Sequence, residues 1–194
     1  KIPMKHFFAM LVAVAVVLPS TAQAQDKKFG ATGTISPFGS VSYITGSAKP
    51  PEGDSIKRTT IEVEPGMLYF VADNIGVGAK LVYGSEKVGD ADAATEFGLV
   101  PMGGYNVEIN PNMSLFPSIG LAYMSGKDES ATKSTTMSLV VNVPVLMHFG
   151  NFFIGGGLDV MMDLSSKVTP DGGESGDGMK TTAFGVSSTI GGWF

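Results

Sequence analysis

The chain holds few groups for metal or nucleophilic chemistry, because it has no cysteine and only two histidines. His6 lies in an apolar N-terminal stretch, which leaves His148 as the one imidazole of the remaining sequence. A hydrolytic role for His148 needs a serine and an acid within hydrogen-bond reach, and its neighbours in sequence announce neither. It sits beside the Gly150-Asn151 turn signal, where a structural histidine is expected. The carboxylates form a clearer pattern: Glu62, Glu64, Glu96, Glu108, Asp159 and Asp163, with Lys80, share one parity of residue alternation within their segments. Six acids and one lysine on one face read as a polar network. The sharper alternative is a narrow cation-preferring pathway, or a cation site involving Glu62, Glu64, Asp159 and Asp163. Glu64 and Lys80 flank the Asp73-Asn74 turn signal on neighbouring segments, close enough for a diagonal pair. The acidic segment Asp171–Gly178 has neither the alternating oxygen ligands of an EF-hand loop nor the order of a calcium-binding β-roll, and reads as a solvated loop. No catalytic residue, cofactor or metal ligand is assigned.

The elements that position these groups are strands. Period-two alternation recurs over approximately 29–45, 58–72, 75–84, 95–109, 113–125, 135–149, 152–165 and 180–194, and sustained helical periodicity is absent after Gln25. From Met137 the apolar set is Met137, Leu139, Val141, Val143, Val145, Met147 and Phe149. The connections alternate too. Asp73-Asn74, Asn110-Pro111-Asn112 and Gly150-Asn151 are tight turns of residues that tolerate turn geometry, whereas roughly 46–57, 85–94, 126–134 and 166–179 are longer polar loops. Three turns and four loops describe an up-and-down meander with turns at one end and loops at the other. Five prolines within these segments, Pro37, Pro65, Pro101, Pro117 and Pro144, are expected near strand ends or bulges.

Parity decides the environment. The face opposite the acids carries Ile61, Val63, Met67, Tyr69, Phe97, Leu99, Leu115, Ile119, Leu121, Leu158 and Val160. Seven charges in one register do not suit the packed centre of a soluble barrel, but suit a hydrated lumen inside an apolar outer wall. The overall composition agrees: 16% charged and 43% hydrophobic residues, with 26 glycines and a formal charge of −5, which disfavours nucleic acid as a partner. Met4-Lys5-His6, the apolar run Phe7–Leu18 and Ala22-Gln23-Ala24 form a signal peptide with cleavage between Ala24 and Gln25. Removing Lys1 and Lys5 leaves 11 basic against 18 acidic residues, a charge of −7 over residues 25–194. Tyr43, Tyr83 and Tyr123 at loop ends, and Phe29, Tyr69, Tyr105, Phe149, Phe152 and Phe194 at turn ends, read as two interfacial aromatic belts.

Gly66–Asn74, Asn112–Pro117 and the ending Gly191-Gly192-Trp193-Phe194 resemble the outer-membrane β-barrel domain family of small porin-like and opacity-type proteins. The resemblance covers about Phe29 to Phe194. It implies an all-β, eight-stranded antiparallel transmembrane barrel with periplasmic termini and extracellular loops, in the outer membrane of a Gram-negative cell. It also implies handling by periplasmic chaperones and the barrel assembly machinery, with Trp193 and Phe194 as the C-terminal assembly signal. The expected role is structural or interaction-based at the cell surface, without catalysis. The alternative is a narrow conduit for small solutes or cations, and the least supported reading is a lipid-modifying enzyme.

Overall fold

The computed structural model describes residues 28–48, 56–89, 93–127 and 132–194. The proposed signal peptide, including the Ala24–Gln25 junction, lies outside these residues, as do parts of the first three loops. The strand segments are β1 (Ile35–Ala48), β2 (Ile56–Ala72), β3 (Ile75–Val88), β4 (Ala94–Tyr105), β5 (Val107–Asn110), β6 (Met113–Leu115), β7 (Ser118–Lys127), β8 (Lys133–Phe149), β9 (Phe152–Thr169), β10 (Gly176–Asp177) and β11 (Thr182–Gly192). β4 and β5 form one stave interrupted at Asn106, and β6 and β7 another interrupted at Phe116-Pro117. β10 is a two-residue flap on the end of β9. Each stave pairs antiparallel with the next, and β11 returns to β1, so eight staves close into a barrel. At that closure Ile35 and Phe194 exchange both backbone hydrogen bonds, at 3.0 and 3.1 Å.

Turn chemistry sets the connections. Asn74 takes the left-handed conformation at φ 66°, and Gly150 does so at φ 62°, which only short polar residues or glycine adopt cheaply. Asn112 N–H donates to the Asn110 side chain at 2.9 Å, closing the third turn. Pro37 lies near the start of β1 and Pro117 in the break between β6 and β7, as expected, whereas Pro65, Pro101 and Pro144 lie inside their staves. The β2–β3 ladder skips Glu64-Pro65, between Val63↔Tyr83 and Gly66↔Lys80. The β4–β7 ladder skips Val100-Pro101, between Leu99↔Tyr123 and Met102↔Gly120. A ring nitrogen cannot donate, so Pro65 and Pro101 cost rungs on the side their nitrogens face, while the other side of the stave stays in register.

The side-chain faces separate as the alternation dictates. Met67, Tyr69, Leu81, Phe97, Leu99, Ile119, Leu121, Met147 and Leu158 are exposed on the outer wall. Val63, expected on the outer wall, is buried; the other buried apolar residues gather inside, in two layers. Val82, Val100 and Ala122, with Met124 and Val140 against them, pack midway along the barrel. Phe29, Leu68, Phe70, Phe116, Leu146, Phe153 and Trp193 pack at the turn end.

Residues 28–34 correct the expected first strand. They form a strap that crosses the turn end before β1 begins. Gly30 and Gly33 turn it, at φ 93° and 78°. Gly33 N–H donates to the Phe70 carbonyl at 2.8 Å, Asn74 N–H to the Gly30 carbonyl at 2.7 Å, and Phe70 N–H to the Thr34 carbonyl at 3.0 Å. Phe29 is therefore no member of an interfacial belt. The strap carries it into the lumen, where it is buried. Of the other turn-end aromatics, Tyr69, Tyr105, Phe149 and Phe152 are exposed on the outer wall, as are Tyr83 and Tyr123 toward the loops, while Phe194 is half-buried. The Tyr43 side chain lies outside the described residues.

Candidate functional site

The lumen is divided by its aromatic layer. The Phe29 ring centroid lies 5.1 Å from Phe70, 5.3 Å from Phe153, 5.5 Å from Trp193 and 6.1 Å from Phe116, all edge-on. Edge-to-face contacts at such separations contribute about 0.5–1.5 kcal/mol each beyond the area they bury. Phe70, Phe116 and Phe153 come from the barrel wall, while Phe29 comes from the strap and Trp193 from the residues after β11. The strap and the residues after β11 thus meet inside the barrel and stopper it.

Above the stopper lies a cavity of about 60 Å³, walled by Glu64, Lys80, Asn142 and Asp159 among others. Lys80 Nζ donates to Glu64 at 2.9 Å, the pair anticipated across the Asp73-Asn74 turn, and the Ser40 hydroxyl donates to the same carboxylate oxygen at 3.2 Å. Asn142 donates its amide to Asp159 and reaches Ser187 Oγ at 3.3 Å. Nearer the loops, Asp163 accepts from Ser138 Oγ at 2.7 Å and from the Thr181 N–H and hydroxyl at 2.9 and 2.7 Å. Asp163 therefore anchors the last loop to the wall. Glu62 lies near Glu64, and Glu96 near Asp163. Lys80 has no second cation beside it in these contacts, so this compartment is anionic. Among the described residues, no group of three His, Asp or Glu side chains is arranged to hold a metal ion.

Below the stopper, a crevice of about 310 Å³ opens at the turn end, between Lys28, Asn106, Glu108, Asn112, Ser114 and His148. Glu108, grouped by parity with the lumen acids, stands apart from them here and pairs with Lys28 at 3.2 Å. Both side chains are largely exposed, so the pair contributes little to stability. The structure also supplies the serine that the sequence did not announce. Ser114 Oγ lies 2.8 Å from His148 Nε2. The register explains it, since β6 and β8 pair Ser114 with Leu146, two residues from His148 on the same face. His148 Nδ1 is buried without a hydrogen-bond partner, so no acid orients the ring as a nucleophile–base–acid set requires. The ring instead packs 5.2 Å from Phe29 and 5.3 Å from Trp193, as part of the stopper.

The strap is latched from outside by Asp73, whose carboxylate accepts from the Thr32 hydroxyl at 2.7 Å and from its N–H at 3.0 Å. These bonds, the hydroxyl's first, hold the Asp73 carboxyl below its ordinary value. A depressed folded value means that the latch is fully present above the ordinary carboxylate range and is lost as pH falls through the lower, folded value. Hydrogen exchange at the Thr32 amide is therefore expected to accelerate on acidification beyond its intrinsic pH trend. In Asp73→Asn, whose amide oxygen still accepts but does not titrate, that excess should vanish.

No family model matches the chain, and no curated protein matches it.

Proposed function

We propose that the chain is an integral outer-membrane β-barrel protein, exported by its N-terminal signal and structural or interaction-based in role. Turns and termini then face the periplasm and the longer loops face outward. One observation carries this reading: the barrel is inverted relative to a soluble one, with large apolar side chains exposed outside and carboxylates inside. Water would penalise that wall, whereas lipid accepts it, and outside the β1–β11 seam the paired staves satisfy the backbone groups that hydrocarbon would strand. The proposed partners are outer-membrane lipid and, during biogenesis, periplasmic chaperones and the assembly machinery, with Trp193 and Phe194 as the recognised end.

The acidic lumen gives the conduit reading its support. Against it stands the stopper, in which Phe29, Phe70, Phe116, Phe153 and Trp193 fill the cross-section at the turn end. A lipid-modifying role for Ser114 and His148 is disfavoured by their position inside the wall at the turn end, away from the lipid-facing surface. Planar-bilayer recording of the refolded barrel tests the choice. Silence across many insertions is expected. Stable cation-selective openings that disappear in Glu64→Gln or Asp159→Asn would overturn the structural reading in favour of the conduit.

A further inference from the structure

The barrel's closing seam is much shorter than its other ladders. β1 and β11 pair only at Phe38↔Gly191 and Gly39↔Ile190 among the described residues. On its other side, β1 is paired with β2 along its whole length from Ile35 to Ala48, and β11 is paired with β9 from Thr182 to Gly192. Two facing edges are therefore left without rungs, Ser40–Ala48 on β1 and Thr182–Thr189 on β11. The β11 edge is also thinly covered there. A Cβ on Gly185 would meet nothing within 4 Å, and its neighbours Phe184 and Val186 are 80% and 83% exposed.

The cavity above the stopper reaches this gap. Its wall includes both lips of the seam, Gly39 and Ser40 on one side and Ser187, Ser188 and Thr189 on the other. Behind the lips are two carboxylates. Glu64 is matched by Lys80 at 2.9 Å. Asp159 has no ion pair among the described residues, and it lies on β9 opposite Gly185 of the seam strand. In front of the lips, Val41, Val186 and Ile190 belong to the exposed apolar wall.

We propose that the seam is a lateral opening through which a cationic amphiphile binds, its ammonium head at Asp159 and its chain among the lipids. This rests on the membrane reading above. About 60 Å³ accommodates a small head and not a chain, and a cation supplies the charge that Asp159 lacks. Unpaired edges facing hydrocarbon are costly, and an opening onto a polar cavity gives their backbone groups water and a ligand head as partners.

The test uses the full mature barrel in lipid vesicles, with the fluorophore bimane on a single introduced cysteine. Thr189→Cys places it on the inner parity of the seam. Leu121→Cys places it on the outer wall of the opposite stave. Nitroxide-bearing lipid chains are expected to quench both sites. Added dodecylammonium should shift the Thr189→Cys signal saturably and leave only a linear partitioning response at Leu121→Cys. Asp159→Asn should weaken the saturable response at least about tenfold, and dodecyl sulfate should not produce it. Quenching at Leu121→Cys with Thr189→Cys spared would mean a zipped seam and would overturn the proposal while leaving the membrane barrel intact. A linear response at Thr189→Cys, or one indifferent to Asp159→Asn, would remove the binding site. No quenching at Leu121→Cys would remove the membrane reading, and this proposal with it.

Discussion

Replacing Phe29 with alanine is expected to lower the unfolding free energy by about 3–5 kcal/mol, the range for deleting a buried phenylalanine whose surroundings relax only in part. Few residues here are placed to cost more. Its ring contacts Phe70, Phe116, Phe153, Trp193 and His148 at centroid separations between 5.1 and 6.1 Å. Those partners are fixed to the wall or to the C-terminal end, so the void cannot easily close. Trp193 is the only tryptophan, which makes its fluorescence a direct reporter in a urea titration of the refolded barrel. Phe149→Ala is the control: that side chain is 57% exposed on the outer wall, so its loss leaves no internal void. In detergent, equal costs at the two positions would mean that the strap does not stopper the lumen.

Gly78→Ala is the second large effect. Gly78 pairs with Leu68 across the β2–β3 ladder, and a Cβ there would run into the Met67 carbonyl oxygen while standing 2.9 Å from the Leu68 Cα. Both obstacles are backbone, so the staves must move apart rather than a side chain rotate. Glycine within a strand marks such close approach, and overpacking of this kind costs about 1–3 kcal/mol, occasionally more. Gly185→Ala supplies the contrast, since nothing lies within 4 Å of its added carbon. On gels, the heat-modifiable folded band is expected to weaken sharply for Gly78→Ala and to persist for Gly185→Ala. Equal yields would contradict the packing described for β2 and β3.

These two positions also mark what the sequence reveals and what it hides. Wall parity was legible because alternation is a local property: the Met137–Phe149 run has its apolar set on one face, and Glu64 and Lys80 met as their spacing across a tight turn suggested. The turns were legible because Asn74 and Gly150 are types that take positive φ. The stopper was not. Phe29 reads as the first residue of an alternating segment, and only the paired glycines Gly30 and Gly33 hint that the chain bends there. Phe70, Phe116 and Phe153 carry the same parity as the acids, yet an aromatic inside and one outside look alike without the register. Ser114 and His148 are 34 residues apart, so their contact depends on which stave follows which. Pro65, Pro101 and Pro144 were misplaced for a related reason. A ladder can drop rungs on one side in mid-stave, and composition does not show which side has rungs to spare.

The central claim is a membrane barrel with its turn end inward, and single cysteines in a cysteine-free chain test it most directly. In intact cells, a membrane-impermeant maleimide is expected to label Gly172→Cys in the last long loop. It should reach Pro111→Cys, in the tight turn beside the crevice, only after the outer membrane is disrupted. Labelling of Pro111→Cys in intact cells with Gly172→Cys protected would reverse the orientation, and protection of both sites until lysis would contradict an outer-membrane barrel altogether.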